Sequence, residues 1–100
     1  MKTFVEALAE DRRLVILRML QQASDYRGNQ YLLHAALPGM GHTVGMDRVK
    51  TDLAWLATQG LVTVEEPGGV VIARLTDAGL DTATGAITTP GVKRPAPGAQ

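Results

Sequence analysis

An α+β fold, mainly α-helical, is predicted for this chain: three helices, a β-hairpin and a short C-terminal helix. Apolar residues recur at helical spacing up to Gln59. Two β-rich runs then flank a Pro-Gly-Gly turn, and a Thr-Asp pair opens a last helical stretch. At 100 residues the chain has the size of one domain with a single modest core. The predicted domain spans residues 1–84, and residues 85–100, rich in Pro and Gly, read as a flexible C-terminal tail.

The first helix opens at Thr3-Phe4-Val5-Glu6, a capping box in which Thr3 is the N-cap, and runs to about Gln22. Its second half, RRLVILRML, places Leu14, Val15, Ile16 and Leu17 in succession, so apolar side chains point to every side. A helix of this kind is buried on more than one face. In so small a domain the second face is expected to meet a copy of the same chain, through Phe4, Leu8, Val15, Ile16 and Met19. SDYRGN, residues 24–29, is turn chemistry. QYLLHAALPGMG then gives a short helix with Leu32, Leu33, Ala36 and Leu37 inward, ended by Pro38 and the glycines after it.

The third helix is predicted from Met46 to Gln59, with Gly45 as N-cap and Gly60 as the residue that ends it. Val49, Leu53 and Leu56 share one face. Asp47, Thr51, Ala54 and Thr58 point the other way, flanked by Arg48 and Lys50. Trp55 lies about 120° from the centre of the apolar stripe. It can offer a stacking surface, but is expected to pack against the hairpin, the first helix or a dimer mate. LVTVEE-PGG-VVIARL is the hairpin, and Thr76 and Asp77 start the last helix. The order is that of a winged helix-turn-helix.

Composition bounds the function. The chain is 45% hydrophobic and 20% charged, as ordinary globular proteins are. It has no cysteine, which excludes disulfides and thiolate metal sites and fits a reducing compartment. Charges close to the start argue against a signal peptide, and no apolar run is long enough for a bilayer, so a cytoplasmic protein is expected. Ten basic residues balance ten acidic ones, and residues 1–84 alone carry eight against ten, a balance of −2. Proteins that bind nucleic acid usually show a basic footprint. A DNA contact here must rest on a local patch.

The motifs resemble a known family. DRRLVILRML is similar to the opening helix of ArsR-like bacterial repressors, where an Arg-Leu-x-Ile-Leu-x-x-Leu run forms core and dimer interface. GMDRVKTDLAWLATQGLV resembles their recognition helix, including its Leu-x-x-Leu pair and the closing Gly-Leu-Val. LTDAGL resembles the Leu-Thr-x-x-Gly that follows the wing in many winged-helix regulators. The likeness covers roughly residues 11–84. More narrowly, the chain resembles small ArsR-like proteins encoded in Mu-like prophages.

The resemblance implies a dimeric DNA-binding regulator whose recognition helix enters the major groove with Met46, Asp47, Arg48, Lys50 and Thr51. Side-chain chemistry suits part of this. Arg48 can fork onto guanine, Lys50 can meet guanine or phosphate, and Thr51 can touch a thymine methyl group. Asp47 can accept from cytosine but repels phosphate, and Asp47 and Thr51 read equally well as a solvated polar face. Asn29, Gln30 and Tyr31, at the start of the second helix, are candidates for phosphate contact that would fix the register. Glu65-Glu66-Pro67 at the hairpin tip departs from the Arg or Lys common there, and Arg74 supplies one compensating charge. The acidic tip and neutral balance favour the alternative, a protein–protein adaptor module of the same fold without nucleic acid.

Other chemistry is not expected. His34, His42, Asp25 and Asp81 could supply nitrogen and oxygen ligands, but the two histidines straddle a Pro-Gly break, so neither metal nor cofactor is expected. Ser24 is the only serine and sits in a turn, and no phosphate-cradling loop is present, so no catalysis is expected. Lys93 and Arg94 read as part of a disordered terminus, with a basic arm onto DNA as the weaker reading. The expected partners are double-stranded DNA and a second copy of the chain, with a protein partner as the alternative and no membrane.

Overall fold

The computed structural model describes residues 1–97. Helix α1 (Phe4–Gln22) starts where the Thr3 hydroxyl accepts the Glu6 backbone N–H at 3.1 Å, the first half of the expected capping box. The Glu6 carboxylate reaches back to the Thr3 hydroxyl at 3.1 Å and not to its backbone N–H. A tight turn at Ser24–Tyr26 leads into a three-residue strand, β1 (Arg27–Asn29). Helix α2 (Gln30–Ala36) follows directly, capped by the Asn29 side chain on the Leu32 N–H, and runs into a 3-10 turn at Leu37–Met40. Helix α3 (Met46–Thr58) ends at Gly60, whose φ of 74° lies in the left-handed region that glycine adopts without strain. Strands β2 (Val62–Glu65) and β3 (Ile72–Leu75) form a hairpin around Pro67–Gly69, and helix α4 (Asp77–Thr84) closes the series with Thr76 as its cap.

The described residues therefore form an α+β arrangement of four helices on a small antiparallel sheet of order β1-β3-β2. Strand β1 was not visible as a strand in the sequence. It exists because Arg27 to Asn29 pair with Arg74 to Ile72, far away in the chain. The core lies between α1, α3 and the sheet, where Ile16, Leu17, Leu20, Leu37, Val49, Leu53, Leu56 and Ala73 are fully buried. The apolar face predicted for the third helix is thus the face that packs. Among the described residues, no helix is long and apolar enough to cross a membrane.

Three expectations need correction. Leu33 and Leu37 turn inward from α2 as expected, but Leu32 is 56% exposed and Ala36 is exposed, because a seven-residue helix on the surface buries only one stripe. Ile16 is wholly buried within its own chain and Val15 nearly so, so both belong to the core and, contrary to expectation, neither is open to a second copy.

The third correction concerns the tail. The expected flexible segment is tied to the body of the fold as far as Lys93, although most of its side chains are exposed, while residues 98–100 fall outside the described residues. Val92 is buried in the core cluster, the Lys93 N–H bonds the Glu10 carbonyl, and the Thr89 and Thr82 hydroxyls meet at 2.8 Å. One buried valine and a few long-range hydrogen bonds anchor a segment whose composition alone suggests disorder.

Candidate functional site

The exposed side of α3 is the surface that the sequence singled out, and its position is set from behind. Val49, Leu53 and Leu56 hold the helix against the core. Between them, Asp52 turns inward and meets Arg12 of α1. Arg12 Nε donates to Asp52 Oδ2 at 2.5 Å and Nη2 to Oδ1 at 3.3 Å, with both side chains almost wholly removed from solvent. A two-bond carboxylate–guanidinium contact has a defined geometry, so it fixes the rotation of α3 relative to α1 as well as their distance.

The loop that leads into α3 is pinned twice by histidine. His34 Nε2, from α2, lies 2.9 Å from the Val44 carbonyl, and a bond in which it donates ties α2 to this loop. His42, buried in the loop itself, places Nε2 2.6 Å from Asp11 Oδ2 on α1. Lys93 approaches the other Asp11 oxygen at 3.3 Å. Partial burial alone would raise the Asp11 carboxyl, but the hydrogen bonds from His42 and Lys93, with their charges, hold it below its ordinary range.

A pH dependence follows. A carboxyl lowered on folding stabilises the fold above its unfolded value and loses that contribution as pH falls through its folded value. Asp11→Asn is therefore expected to reduce stability at neutral pH and to converge on the wild type as pH falls through the lowered folded value, as followed by urea unfolding across pH. An equal deficit at both ends would mean that Asp11 acts through packing alone.

Trp55 is held on its other side by the C-terminal segment. The Arg13 guanidinium carbon sits 4.1 Å from the Trp55 ring centroid, and Arg13 Nη1 donates to the Gly91 carbonyl at 2.9 Å. Gly91 has a φ of 92°, and a Cβ there would lie 2.5 Å from the indole. Of the expected packing partners for Trp55, the first helix is one that the structure supplies. The covering segment was not anticipated.

What remains outward on α3 is Asp47, Arg48, Thr51, Ala54 and Thr58, with Met46 and Lys50 half-buried. The Thr51 hydroxyl donates to the Asp47 carbonyl at 2.9 Å, leaving its methyl group and its lone pairs for other contacts. Asp47 stands in the first turn, where a carboxylate favours the helix dipole. Val44, Gly45, Asp47, Arg48 and Thr51 line an open concavity at the helix start. None of the ion pairs among the described residues takes Arg48 or Lys50. A second groove, between α3 and the hairpin, has apolar walls at Ala54, Val64 and Val71, with Lys50 facing the same space as Glu65 and Glu66.

Relatives of this chain exist in a phage and a bacterium. It is 45% identical over 92 residues to "Uncharacterized protein gp26" of Escherichia phage Mu, an alignment that covers 92% of this chain and 95% of the phage protein. The chain belongs to the gp26 family. A protein of Haemophilus influenzae called "Uncharacterized protein" is 37% identical over 83 residues, covering 82% of this chain and 80% of that one. No family model matches the sequence, and no solved structure does.

In this gp26-family chain, the residues singled out around the second helix separate. Tyr31 is 57% exposed and free to meet a partner. Gln30 is not. It is 4% exposed, and its Oε1 accepts the Val71 N–H at 2.8 Å, so it joins the start of α2 to the hairpin. Asn29 is likewise occupied as the α2 cap. Gln30 is corrected from a partner contact to an internal one, because the Val71 N–H would otherwise lack its acceptor, whereas the exposed Asn29 uses only its carbonyl oxygen for the cap. Arg74 is held by Asp25 at 3.1 Å, beside Arg27 at 3.9 Å from the same carboxylate, so its charge is already shared.

His34 and His42, considered as metal ligands, serve separate bonds. Among the described residues, no group of three or more His, Asp or Glu side chains is placed to hold a metal ion. The Arg12–Asp52 pair and the histidine pins went unread in the sequence. One signal was available: Asp52 lies on the same turn as Leu53 and Val49, where a carboxylate needs a cation.

Proposed function

We propose that this gp26-family chain is a dimeric winged-helix protein that binds double-stranded DNA and regulates transcription. Helix α3 acts as the recognition helix, α2 and α3 form the helix-turn-helix, and the β2–β3 hairpin is the wing. No catalytic step, metal or cofactor belongs to this reading. The observation that carries it is the outward half-turn of α3, where Arg48 stands exposed and, among the described residues, outside any ion pair on a helix held rigidly from behind. Lys50 and Thr51 flank it, and Tyr31 is the remaining candidate for a phosphate contact. A helix about 20 Å long fits a major groove, and a two-fold dimer presents two such helices to half-sites about one helical turn apart.

The test is selection from a random duplex pool at near-physiological salt. The wild type is expected to enrich a two-fold-symmetric site, and Arg48→Ala to lose about 1–3 kcal/mol on that site and relax base preference at one position. Equal losses on all sequences would reduce the contact to loose electrostatics. Absence of enrichment with folded protein would move the assignment to the alternative, an adaptor module. That second reading draws on Glu65 and Glu66, both exposed beside the apolar groove between α3 and the hairpin.

A further inference from the structure

A groove of about 590 Å³ runs between the C-terminal half of α1 and the turn that follows α2. Val15, a member of the core cluster, lies at its floor. Met19 and Met40 stand in its walls, the first half-buried and the second 59% exposed. On the α2 side Ala36 projects one methyl group and Gly39 none, and a Cβ at Gly39 would meet nothing within 4 Å. Small side chains on one wall thus keep the groove open.

The polar part of the lining is short and of one sign. Arg18, half-buried, supplies its charge, and the exposed Gln22 follows one turn later. Among the described residues Arg18 enters no ion pair. Its neighbours one turn away on α1 are Leu14, Val15, Gln21 and Gln22, so the helix itself offers it no carboxylate. A guanidinium partly withdrawn from water gains most from a molecule that brings an anion and covers the apolar walls beside it.

We propose that this groove binds a small apolar carboxylate of the medium-chain fatty-acid class. The acid group meets Arg18, and the chain lies along Val15, Met19 and Met40. The planar guanidinium fork matches the two oxygens of a carboxylate, and the Gln22 amide can donate a further bond. Small-molecule sites have volumes of about 300–1,000 Å³, mostly apolar walls and few polar groups, as this groove has. From Val15 to Gln22 is about 10 Å along the helix, a span suited to a chain of about ten carbons. Flexible thioether side chains on both walls can close around such a chain. The site goes beyond the proposed function and is independent of it, since none of its residues lies on α3.

The chain has four methionines, whose ε-methyl groups serve as NMR probes. Met19 and Met40 line the groove, whereas Met1 and Met46 lie outside it. Titration of the full chain with decanoate is expected to move the Met19 and Met40 signals together and to saturation, leaving Met1 and Met46 in place. Decanol, which keeps the chain and lacks the charge, should bind about tenfold more weakly, and acetate should move nothing. Arg18→Gln should also weaken decanoate about tenfold, with circular dichroism unchanged. Ala36→Trp, at an exposed position, should fill the groove and abolish the shifts. No shift with decanoate, decanol bound as tightly, undiminished binding to Arg18→Gln, or equal shifts at all four methionines would each overturn the proposal. Met19 and Met40 signals that move with protein concentration alone would give the groove to a second copy, and would overturn it too.

Discussion

Asp52→Ala is expected to cost about 3–5 kcal/mol of folding stability, because it strands the Arg12 guanidinium in a site with almost no solvent access. Domains of this size have about 5–15 kcal/mol in total, so the variant should be partly unfolded under conditions where the wild type is native. The midpoint and slope of urea unfolding, followed by circular dichroism, give the difference directly. The double substitution Arg12→Met/Asp52→Leu is expected to recover most of the loss, since a buried pair replaced as a unit leaves no unpaired charge. A cost below about 1 kcal/mol for Asp52→Ala would mean that water reaches the pair in solution. The expected consequence for function is indirect: with the pair gone, α3 keeps its apolar seat but loses the contact that sets its rotation.

Gly79→Ala is the second large effect, expected at about 2–3 kcal/mol. Gly79 is buried where α4 crosses the entry to β2, and a Cβ there would overlap the Leu61 carbonyl oxygen and lie 2.8 Å from Leu75 Cδ1. That carbonyl cannot turn aside, because it accepts the Thr76 N–H at 3.1 Å. Helix α4 must lift instead, loosening Ala83 and the contact between α4 and α1. Alanine's better helix propensity returns about 1 kcal/mol and does not offset the clash. Gly39→Ala is the control. A Cβ at Gly39 meets nothing within 4 Å, so a change within about 0.5 kcal/mol is expected in the same unfolding assay. Equal stability of the Gly79 and Gly39 variants would show that α4 is not seated tightly on the β2 entry. The glycine of LTDAGL thus has a steric reason: only a residue without Cβ lets α4 approach the start of the strand.

The candidate site was partly legible in the sequence. The outward set on α3, Asp47, Arg48, Thr51, Ala54 and Thr58, followed from periodicity alone, because Val49, Leu53 and Leu56 leave one orientation for the helix. Gln30 was misread because polar residues at a helix start look alike, whether they face a partner or satisfy backbone N–H groups nearby. Ile16 was misread for a related reason. In RRLVILRML every face is apolar, and only the packing of the chain shows which residues the core has already taken.

Local chemistry alone determined the helix starts at Thr3, Gly45 and Thr76, the stop at Gly60, the Pro-Gly-Gly hairpin and the apolar face of α3. Each depends on residues within a turn or two of one another, where caps, glycine and side-chain period act without help from the rest of the chain. Tertiary structure alone decided the existence of β1, the Arg12–Asp52 pair, the two histidine pins on the loop before α3, and the seating of Gly91 against Arg13 and Trp55. These are contacts between segments ten to about eighty residues apart. Their partners are selected by which surfaces the core brings together, and no local pattern encodes that choice.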